Sequence, residues 1–451
     1  MAEVVPKVEG VHLPLDAVAL QGPLPFEMPE EASDVTPLFF TSLLQKQGFL
    51  KMTDSVVSIE SKIIGEDKGF TSVCVFAELT YSDGAGTNDP GRDLPKKLLV
   101  KISGGNMETK GLAKHILHKI IFPNEIRFFV ENKSTNCLAR WPRNFYACSR
   151  GTKHMMVMEH VDGICGDGMK TATKKQAVTI MIYLARLHGH FWGKRNEPDS
   201  PTTVQNFFAG SDWKSYPIIL KKVFPKAFAL MEQAFPESYH AIGEDFFKLL
   251  KSRWKSIASH FRSEPMTLCH GDIKLDNLIF QEGTEDDIVA VDWGVCGWGN
   301  PMGDVAYFFG RSVDTDDRRI WHDQLMNIYI DELHRVNPAL KTQYTQQDCH
   351  RDLTIFALVP LLTTLGTLKG MEEKWKKREG CFASKNLSKN DKKKHYWMDR
   401  SFRRTTYLMS DLEVKERLLS EKKNPILPPI PFFCCWMNKK KKHSKRENTF
   451  E

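Results

Sequence analysis

The feature that most constrains the fold of this 451-residue chain is a polar motif set between two short apolar runs. His270, Asp272 and Asn277 follow the pattern H-x-D-x-x-x-x-N, and Asp292 comes fifteen residues after Asn277 in Val-Asp-Trp-Gly. Apolar residues follow Asn277 and precede Asp292, which predicts two short strands that hold these polar groups at one rigid edge. An isolated H-G-D also fits a plain polar turn between buried strands, whereas the complete pattern is specific.

These residue types suit phosphoryl transfer, and their spacing is that of the catalytic loop and metal-binding aspartate of kinases. Asp272 is predicted to orient or deprotonate an acceptor hydroxyl, because the reaction needs a carboxylate beside that group. Asn277 and Asp292 offer amide and carboxylate oxygens, which Mg²⁺ prefers as ligands. We expect His270 to brace the loop by hydrogen bonding and to take no part in the chemistry.

Strand periodicities dominate the first 160 residues, with one helix among them. Apolar residues in alternation or in a short run predict four strands, at 56–64, 73–81, 97–103 and 155–158. On the third strand Lys101 points away from the main apolar face. Pro123 suits the first turn of a helix that carries Glu125. The sequence therefore predicts a small, mostly antiparallel lobe with one helix.

The rest of the chain is mainly helical, so the predicted fold class is α+β with a small β lobe and a larger helical lobe. A strand–loop–strand block interrupts the helices at 266–293, and Pro360 is expected to kink or break a helix. His188 lies on the apolar face of an amphipathic helix and reads as a hydrogen-bonded core histidine. Asp304 is predicted to cap backbone groups of the catalytic loop.

With these motifs the chain resembles the aminoglycoside phosphotransferase and choline kinase superfamily. Within it, the chain looks most like the CHK branch, the ecdysteroid kinase-like proteins. The resemblance runs from about Gly65 to Ala306 and rests on the H-G-D loop, V-D-W-G, G-N-P-M-G-D-V-A, N-E-I-R-F-F and L-A-R-L-H-G-H-F. It implies a protein-kinase-like, two-lobed fold and an enzyme that uses ATP and Mg²⁺.

The resemblance assigns further site residues. Lys101 would hold the α- and β-phosphates of ATP, and Glu125 would pair with Lys101 and keep it in place. Glu159 to Val161 would form the hinge whose backbone meets adenine. Lys274, two residues after Asp272, would either contact the transferred phosphate or be a solvent-facing charge.

The resemblance also divides the chain into four parts. Residues 1–35 form a loose arm, 36–158 the nucleotide-binding lobe, 159–421 the lobe with the catalytic loop and acceptor pocket, and 422–451 a Pro-rich, then polybasic tail. The glycine loop departs from the kinase pattern, since it reads Gly65-x-x-x-Gly69. Backbone N–H groups near Gly69 and Thr71 would still cradle phosphate. This departure keeps open a second reading, a nucleotide-binding pseudokinase or scaffold.

A small-molecule acceptor is favoured over a peptide. Asp304 follows Asp292 by only twelve positions, and between them there is no Ser, Thr or Tyr and no A-P-E motif. An unusual protein kinase is the less favoured alternative. The acceptor itself is not specified, because Trp293 and Trp298 could stack on a quaternary ammonium, line a pocket for a sterol-like alcohol or be core residues.

Charge and cysteine usage narrow the expected partners and location. The net charge is +7, and the segment 439–451 supplies +4 of it from six basic and two acidic residues. The rest of the chain is therefore close to neutral, so no nucleic-acid partner is expected. The start shows no apolar leader and the ten cysteines form no C-x-x-C pair, so we expect a cytoplasmic protein. The basic tail is expected to be solvated, with an acylated membrane anchor or a nuclear-import patch as alternatives.

Overall fold

The structure, a computed structural model, describes most of the chain in nine stretches. These are residues 27–64, 72–85, 94–103, 117–134, 136–205, 222–263, 265–281, 287–376 and 389–420. The glycine segment 65–71 and the tail 422–451 lie outside the described residues. Of the predicted N-terminal arm, residues 27–35 are described, and there Met28 and Val35 are buried against the small lobe.

A five-stranded antiparallel sheet forms the small lobe. Its strands are β1 (Val56–Ile64), β2 (Val73–Tyr81), β3 (Lys97–Ser103), β4 (Asn144–Arg150) and β5 (Lys153–Glu159). They pair in the order β1-β2-β3-β5-β4. The three strands predicted from apolar alternation have the predicted bounds, and the strand predicted at 155–158 lies within β5. The strand β4 was not predicted.

The two faces of the sheet pack against different helices. One face carries Val75 and Val100, and it packs against α1 (Pro37–Lys46), on which Phe40 is fully buried. Thr36 is the N-cap of helix α1, and its hydroxyl accepts a hydrogen bond from the Phe39 amide. The opposite face carries Lys101 and Met156 and looks towards a second helix.

That second helix is α2 (Phe122–Glu131), which packs against β4 and β5 through Ile126 and Phe128. Proline occupies its first turn, as the sequence predicts. A buried pair of imidazoles lies beside its start, where the rings of His118 and His154 are 5.6 Å apart. Burial, helped by the nearby His118, lowers the pKa of His154 to about 3.

The large lobe is mainly helical. Its helices are α3 (Lys174–Phe191), α4 (Phe224–Ala234), α5 (Pro236–Ile242), α6 (Phe246–His260), α7 (Met302–Ser312), α8 (Thr315–Val336), α9 (Leu340–Gln343), α10 (Gln346–Phe356), α11 (Leu358–Lys376), α12 (Lys389–Asp411) and α13 (Val414–Ser420). Two small sheets interrupt them. These consist of β6 (Ile164–Cys165), β8 (Leu278–Phe280) and β9 (Ile288–Ala290), and of β7 (Thr267–Cys269) and β10 (Gly297–Gly299). The predicted α+β, two-lobed architecture is confirmed.

Helix α3 is the central helix of the large lobe, and α8 packs along it. It begins with a capping box in which Thr173 and Gln176 exchange side-chain and backbone hydrogen bonds. Most of its apolar side chains are buried, and Leu184 among them is fully buried. Since apolar residues recur at helical spacing in this segment, burial of one face of α3 follows directly from the sequence.

The predicted break at Pro360 is confirmed. Helix α10 ends at Phe356 and α11 starts at Leu358, so Pro360 lies in the first turn of α11, where its missing N–H costs no helical hydrogen bond. The stretch Gln346–Gly370 is long and apolar enough to cross a membrane by length and composition. About two thirds of it is buried inside the protein, as in a core helix.

The packing of α3 predicts where apolar truncation is costly. Leu184→Ala should lower the free energy of unfolding by about 2–5 kcal/mol, because it leaves a cavity in the core. Ile320→Ala on α8 is the matched control, since Ile320 is 76% exposed, and it should change stability by less than about 0.5 kcal/mol. Urea unfolding of both variants checks this. Equal effects would contradict the assigned packing.

Burial of His154 predicts a pH dependence of stability. Its folded pKa lies below the ordinary 6.5, so the unfolded chain binds a proton first as the pH falls, and stability present above pH 6.5 is lost below it. Between pH 7.5 and 5.5 the free energy of unfolding should fall by up to about 1.4 kcal/mol more in the wild type than in His154→Gln. Urea unfolding at both pH values measures this, and identical declines would refute it.

Candidate active site

Lys101 joins the two lobes at the centre of the site. Its Nζ donates a hydrogen bond of 2.7 Å to Glu125 Oε2 on α2 and lies 3.2 Å from Asp292 Oδ1, two residues after β9. The Glu125 side chain is only 2% exposed. Three residues that the sequence analysis assigns to one site are therefore in direct contact, although 191 positions separate Lys101 from Asp292.

The charges of this cluster support one another. Burial alone would lower the pKa of Lys101, but the carboxylates of Asp292 and Glu125 hold it above its ordinary value. Lys101 in turn holds the pKa of Asp292 below its usual range. Burial raises the pKa of Glu125, although Lys101 opposes this. Lys101 and Asp292 are thus kept charged at neutral pH.

Asp292 has an unusual backbone conformation. Its φ is +66°, in the left-handed region that aspartate tolerates better than most non-glycine residues. The preceding Val291 accepts a hydrogen bond of 3.0 Å from His270 Nε2, so the turn after β9 is tied to the catalytic loop. The amide of Asp272 donates to Nδ1 of the same imidazole at 3.3 Å, which identifies His270 as neutral, with its proton on Nε2. Burial lowers the pKa of His270, consistent with this bracing role.

Three side chains hold the carboxylate of Asp272. Its Oδ2 accepts from Lys274 Nζ at 2.6 Å and from Asn277 Nδ2 at 2.8 Å. Its Oδ1 accepts from the hydroxyl of Tyr307 on α7 at 2.6 Å. Lys274 is therefore paired with Asp272, and although burial opposes its charge, Asp272 keeps the pKa of Lys274 above its ordinary value. Hydrogen bonds from three side chains therefore fix the position of the Asp272 carboxylate.

Asp304 anchors the catalytic loop through backbone amides of the loop. Its Oδ2 accepts from the amide of His270 at 2.7 Å, and its Oδ1 accepts from the amide of Gly271 at 2.8 Å. Its Oδ2 also lies 3.2 Å from His188 Nε2 on α3, and the other nitrogen of that ring contacts the Tyr329 hydroxyl on α8. Burial opposes the negative charge, but these donors hold the pKa of Asp304 below its ordinary value. The contacts predicted for Asp304 and His188 are thus confirmed.

Glycine is required at 271. Its φ is +80°, and a Cβ there would lie 2.5 Å from the carbonyl oxygen of Val295. The loop can therefore pass close to the segment after β9 only with glycine at this position. The H-G-D sequence thus reflects backbone geometry at its second residue and side-chain chemistry at its third.

Sequence analysis missed two contributing residues, Tyr307 and Asn124. Tyr307 follows Asp304 by three positions, so both lie on one face of α7, and this spacing is a signal that could have found it. Asn124 precedes Glu125 and donates to the carbonyls of Gly294 and Cys296 at 3.2 and 2.7 Å. It thereby ties α2 to the segment that carries Asp292, a contact that no local pattern reveals.

Both tryptophans near the motif belong to the core. Trp293 is fully buried, its ring stacks on Phe128 with centroids 4.0 Å apart, and its Nε1 donates to the Ala290 carbonyl. Trp298 is buried, and its Nε1 donates to the Pro201 carbonyl. Of the three alternatives that the sequence left open for these tryptophans, the structure supports the core reading, because their rings pack inside the protein.

The predicted hinge begins at Glu159, the last residue of β5. Glu159 exchanges backbone and side-chain hydrogen bonds with Arg143, and the amide of His160 donates to the carbonyl of Lys97. Val161 is buried. These hydrogen bonds hold the segment against β3, the strand that carries Lys101, and against Arg143, directly before β4. The predicted phosphate-binding residues Gly69 and Thr71 lie outside the described residues.

A family comparison decides the relationship that the motifs indicate. The profile of the ecdysteroid kinase-like family matches residues 67–342, which is more than half of the chain. The chain belongs to the ecdysteroid kinase-like family. The match covers Lys101, Glu125, the catalytic loop and Asp304, so all the charged contacts described above lie inside it. The branch predicted from the motifs is confirmed.

Solved structures show more distant similarity to this family member. Choline kinase from Cryptosporidium parvum has a TM-score of 0.44 and 13% identity, over 81% of this chain and 91% of that one. Ethanolamine kinase from Plasmodium vivax has a TM-score of 0.42 and 13% identity, over 87% and 95%. The GDP complex of aminoglycoside 2′-phosphotransferase-IIIa has a TM-score of 0.41 and 15% identity, over 76% and 95%. Comparison with curated proteins gives no match.

His188, Cys269 and Asp304 bring three potential metal-ligating atoms together in the core, but their chemistry does not suit a metal. Burial holds the pKa of the Cys269 thiol well above its ordinary value, so the sulfur keeps its proton. The thiol lies within hydrogen-bonding distance of the carbonyls of Gly299 and Asn300. The cluster therefore serves to fasten the loop in this family member.

The Asp304 network predicts a variant that loosens the catalytic loop. Asp304→Asn places an amide N–H₂ against backbone N–H donors, so the free energy of unfolding should fall by about 2–3 kcal/mol. Asp331→Asn, at an exposed position on α8, is the control and should be close to neutral. Urea unfolding measures both. Wild-type stability of Asp304→Asn would show that Asp304 does not anchor the loop.

Proposed function

We propose that this protein is an ATP- and Mg²⁺-dependent phosphotransferase that moves the γ-phosphate of ATP to a hydroxyl of a small molecule. One observation carries the proposal. The Lys101–Glu125 pair reaches Asp292, while Asp272 and Asn277 are hydrogen-bonded to each other in the adjoining loop. Family membership supports it, since this is a kinase-like family.

Lys101 is the residue proposed to bind the α- and β-phosphates. Two carboxylates stabilise its positive charge, and the buried Glu125 orients its side chain. A buried, oriented cation stabilises phosphate oxygens more strongly than an exposed lysine, because water screens it less. The backbone from Glu159 to Val161 lies beside the strand that carries Lys101 and is proposed to contact adenine.

Asn277 and Asp292 fit a magnesium ion. Asn277 donates its amide hydrogens to the backbone oxygen and the Oδ2 of Asp272, so its Oδ1 faces away as an acceptor. Asp292 is ionised, and its side chain is 39% exposed. Both would supply the hard oxygens that Mg²⁺ prefers. When bound, the ion supplies charge neutralisation on the phosphate oxygens.

Asp272 is proposed to receive the acceptor hydroxyl. Its Oδ2 already accepts two hydrogen bonds and its Oδ1 accepts one, so Oδ1 keeps a lone pair for the incoming O–H group. The acceptor then lies next to the Tyr307 hydroxyl. As the acceptor oxygen bonds to the γ-phosphorus and the bond to the β-phosphate oxygen breaks, Asp272 takes the hydroxyl proton. Catalysis rests mainly on this positioning.

The segment between Asp292 and Asp304 supports a small acceptor over a peptide. Residues Gly297–Gly299 form β10, which pairs with β7, and the side chain of Trp298 is buried. A protein kinase needs an exposed surface here to hold the peptide. In this protein the segment is part of the folded core.

Two substitutions separate the proposed roles. Asp272→Asn should lower the rate of ADP release about 10²- to 10⁴-fold, because proton acceptance is lost, while binding of Mg²⁺·ATP persists. Asp292→Asn should abolish the Mg²⁺-dependent part of the thermal shift with ATP, because the metal loses its charged ligand. The control, Asp316→Asn, removes a carboxylate that is 94% exposed and should behave as wild type in both assays.

The assays also separate the alternative functions. If the protein binds Mg²⁺·ATP but forms no ADP with any hydroxyl compound as acceptor, it would be a nucleotide-binding scaffold. Labelling confined to proteins of a mixed lysate would indicate a protein kinase. If ATP produces no shift with or without Mg²⁺, the phosphotransferase proposal is wrong.

A further inference from the structure

Arg311 is a buried cation that has no carboxylate partner among the described residues. It lies on α7, and the residue is only 7% exposed. Its one side-chain hydrogen bond in the described parts of the chain runs from Nη1 to the Thr364 hydroxyl at 2.7 Å. Buried arginines are almost always paired, because desolvating a guanidinium without an anion is costly.

Two aromatic rings position the guanidinium of Arg311. Its central carbon lies 4.5 Å from the ring centroid of Trp397 on α12 and 5.7 Å from that of Tyr307. The hydroxyl of Thr364 donates to the carbonyl of Pro360, which leaves its lone pairs free to accept from Arg311. The side chain is thus held by two aromatic rings and one hydrogen bond to a neutral hydroxyl, and none of its donors meets a carboxylate within the described stretches.

In the described part of the chain, the carboxylates near Arg311 are paired with other cations. Nearby on α12, Arg400 and Arg404 both pair with Asp314, so two arginines share one carboxylate. Asp167 adds a second, exposed carboxylate near Arg400. Burial lowers the pKa of Arg404 to about 10, and the positive charges of Arg400 and Arg311 add to this effect, although Asp314 opposes it.

Arg311 lies close to the catalytic carboxylate. It is one helical turn beyond Tyr307, whose hydroxyl donates to Asp272 Oδ1. Side chains four residues apart on a helix have Cβ atoms about 6 Å apart. The charge of Lys274, which pairs with Asp272, is also close enough to be opposed by that of Arg311. Arg311 therefore lies beside Tyr307, next to which the acceptor hydroxyl is proposed to bind.

We propose that Arg311 binds an oxyanion of the acceptor, so that the substrate is a hydroxyl compound that also carries a carboxylate, phosphate or sulfate group. The hydroxyl lies at Asp272, and the oxyanion lies about one helical turn away at Arg311. This inference rests on the proposed phosphotransferase function. It disfavours quaternary ammonium alcohols, because their positive charge would approach the unpaired guanidinium.

The first test compares matched acceptors on the wild-type enzyme. The probes are ω-hydroxycarboxylates of two to six carbons and the corresponding ω-hydroxyamides, which differ in the oxyanion alone, with choline and a neutral sterol alcohol as counter-probes. ADP release should favour the carboxylates about 10- to 100-fold in kcat/KM, because a charge-assisted bond to arginine replaces a neutral contact. Binding of each carboxylate in the presence of Mg²⁺ and ADP is followed in parallel by thermal shift.

The second test compares arginine variants. Arg311→Met should raise the KM for the carboxylate about 10- to 100-fold, with little change in kcat and in Mg²⁺·ADP binding, whereas Arg311→Lys should recover part of the loss. Arg319→Met is the matched control, since Arg319 on α8 also lies over a tyrosine ring but is half exposed and pairs with Asp411 on α12. It should retain the wild-type KM. Retained nucleotide binding shows that each variant is folded.

The outcomes distinguish this inference from the proposed function. Turnover that favours the carboxylates and depends on Arg311 supports both. Turnover of choline, sterol or amide without turnover of any carboxylate overturns the inference and leaves the phosphotransferase function standing. A carboxylate shift that is lost in Arg311→Met, without turnover of any probe, supports the oxyanion site and contradicts the phosphotransferase function. Neither shift nor turnover contradicts both.

Discussion

The contacts of Asp304 are the constraint on which the rest of the site depends. A buried carboxylate is costly unless donors surround it, and here two backbone amides and His188 supply them. The donors come from the catalytic loop and from the central helix α3, so satisfying one charge holds two distant segments together. Asp304 holds the loop through its backbone, whereas Lys274, Asn277 and Tyr307 hold the carboxylate of Asp272. The hydrogen bonds that stabilise this buried carboxylate thus also make the catalytic loop rigid.

The Lys101 cluster plays the corresponding role between the lobes. Glu125 belongs to α2 and Asp292 to the large lobe, and both contact the same amino group. Three buried or half-buried charges are stable together because each offsets the desolvation of the others. Asn124 strengthens the same connection through neutral hydrogen bonds to the segment after Asp292. The lobes are therefore joined at the residues proposed to bind ATP and Mg²⁺.

The acceptor side differs from the nucleotide side in its charge balance. Around Lys101 two carboxylates face one lysine, so a cationic metal fits there. Around Arg311 the guanidinium groups outnumber the carboxylates, so an anion fits there. Asp272 lies between these regions and is itself paired with Lys274. This difference in charge fits the proposed substrate, which carries a hydroxyl at one end and an oxyanion at the other.

Sequence alone determined the elements whose signals are local. The strands β1 to β3 follow from apolar alternation, α3 from helical spacing, and the catalytic loop from residue types at fixed intervals. Tertiary structure decided what depends on residues far apart in the chain. Asn124 and Arg311 acquire their roles from segments about 170 and 50 positions away, and Trp293 becomes core because Phe128 covers its ring. Sequence spacing reports periodic burial within one element, whereas the partner of a buried charge or ring is chosen by packing between elements.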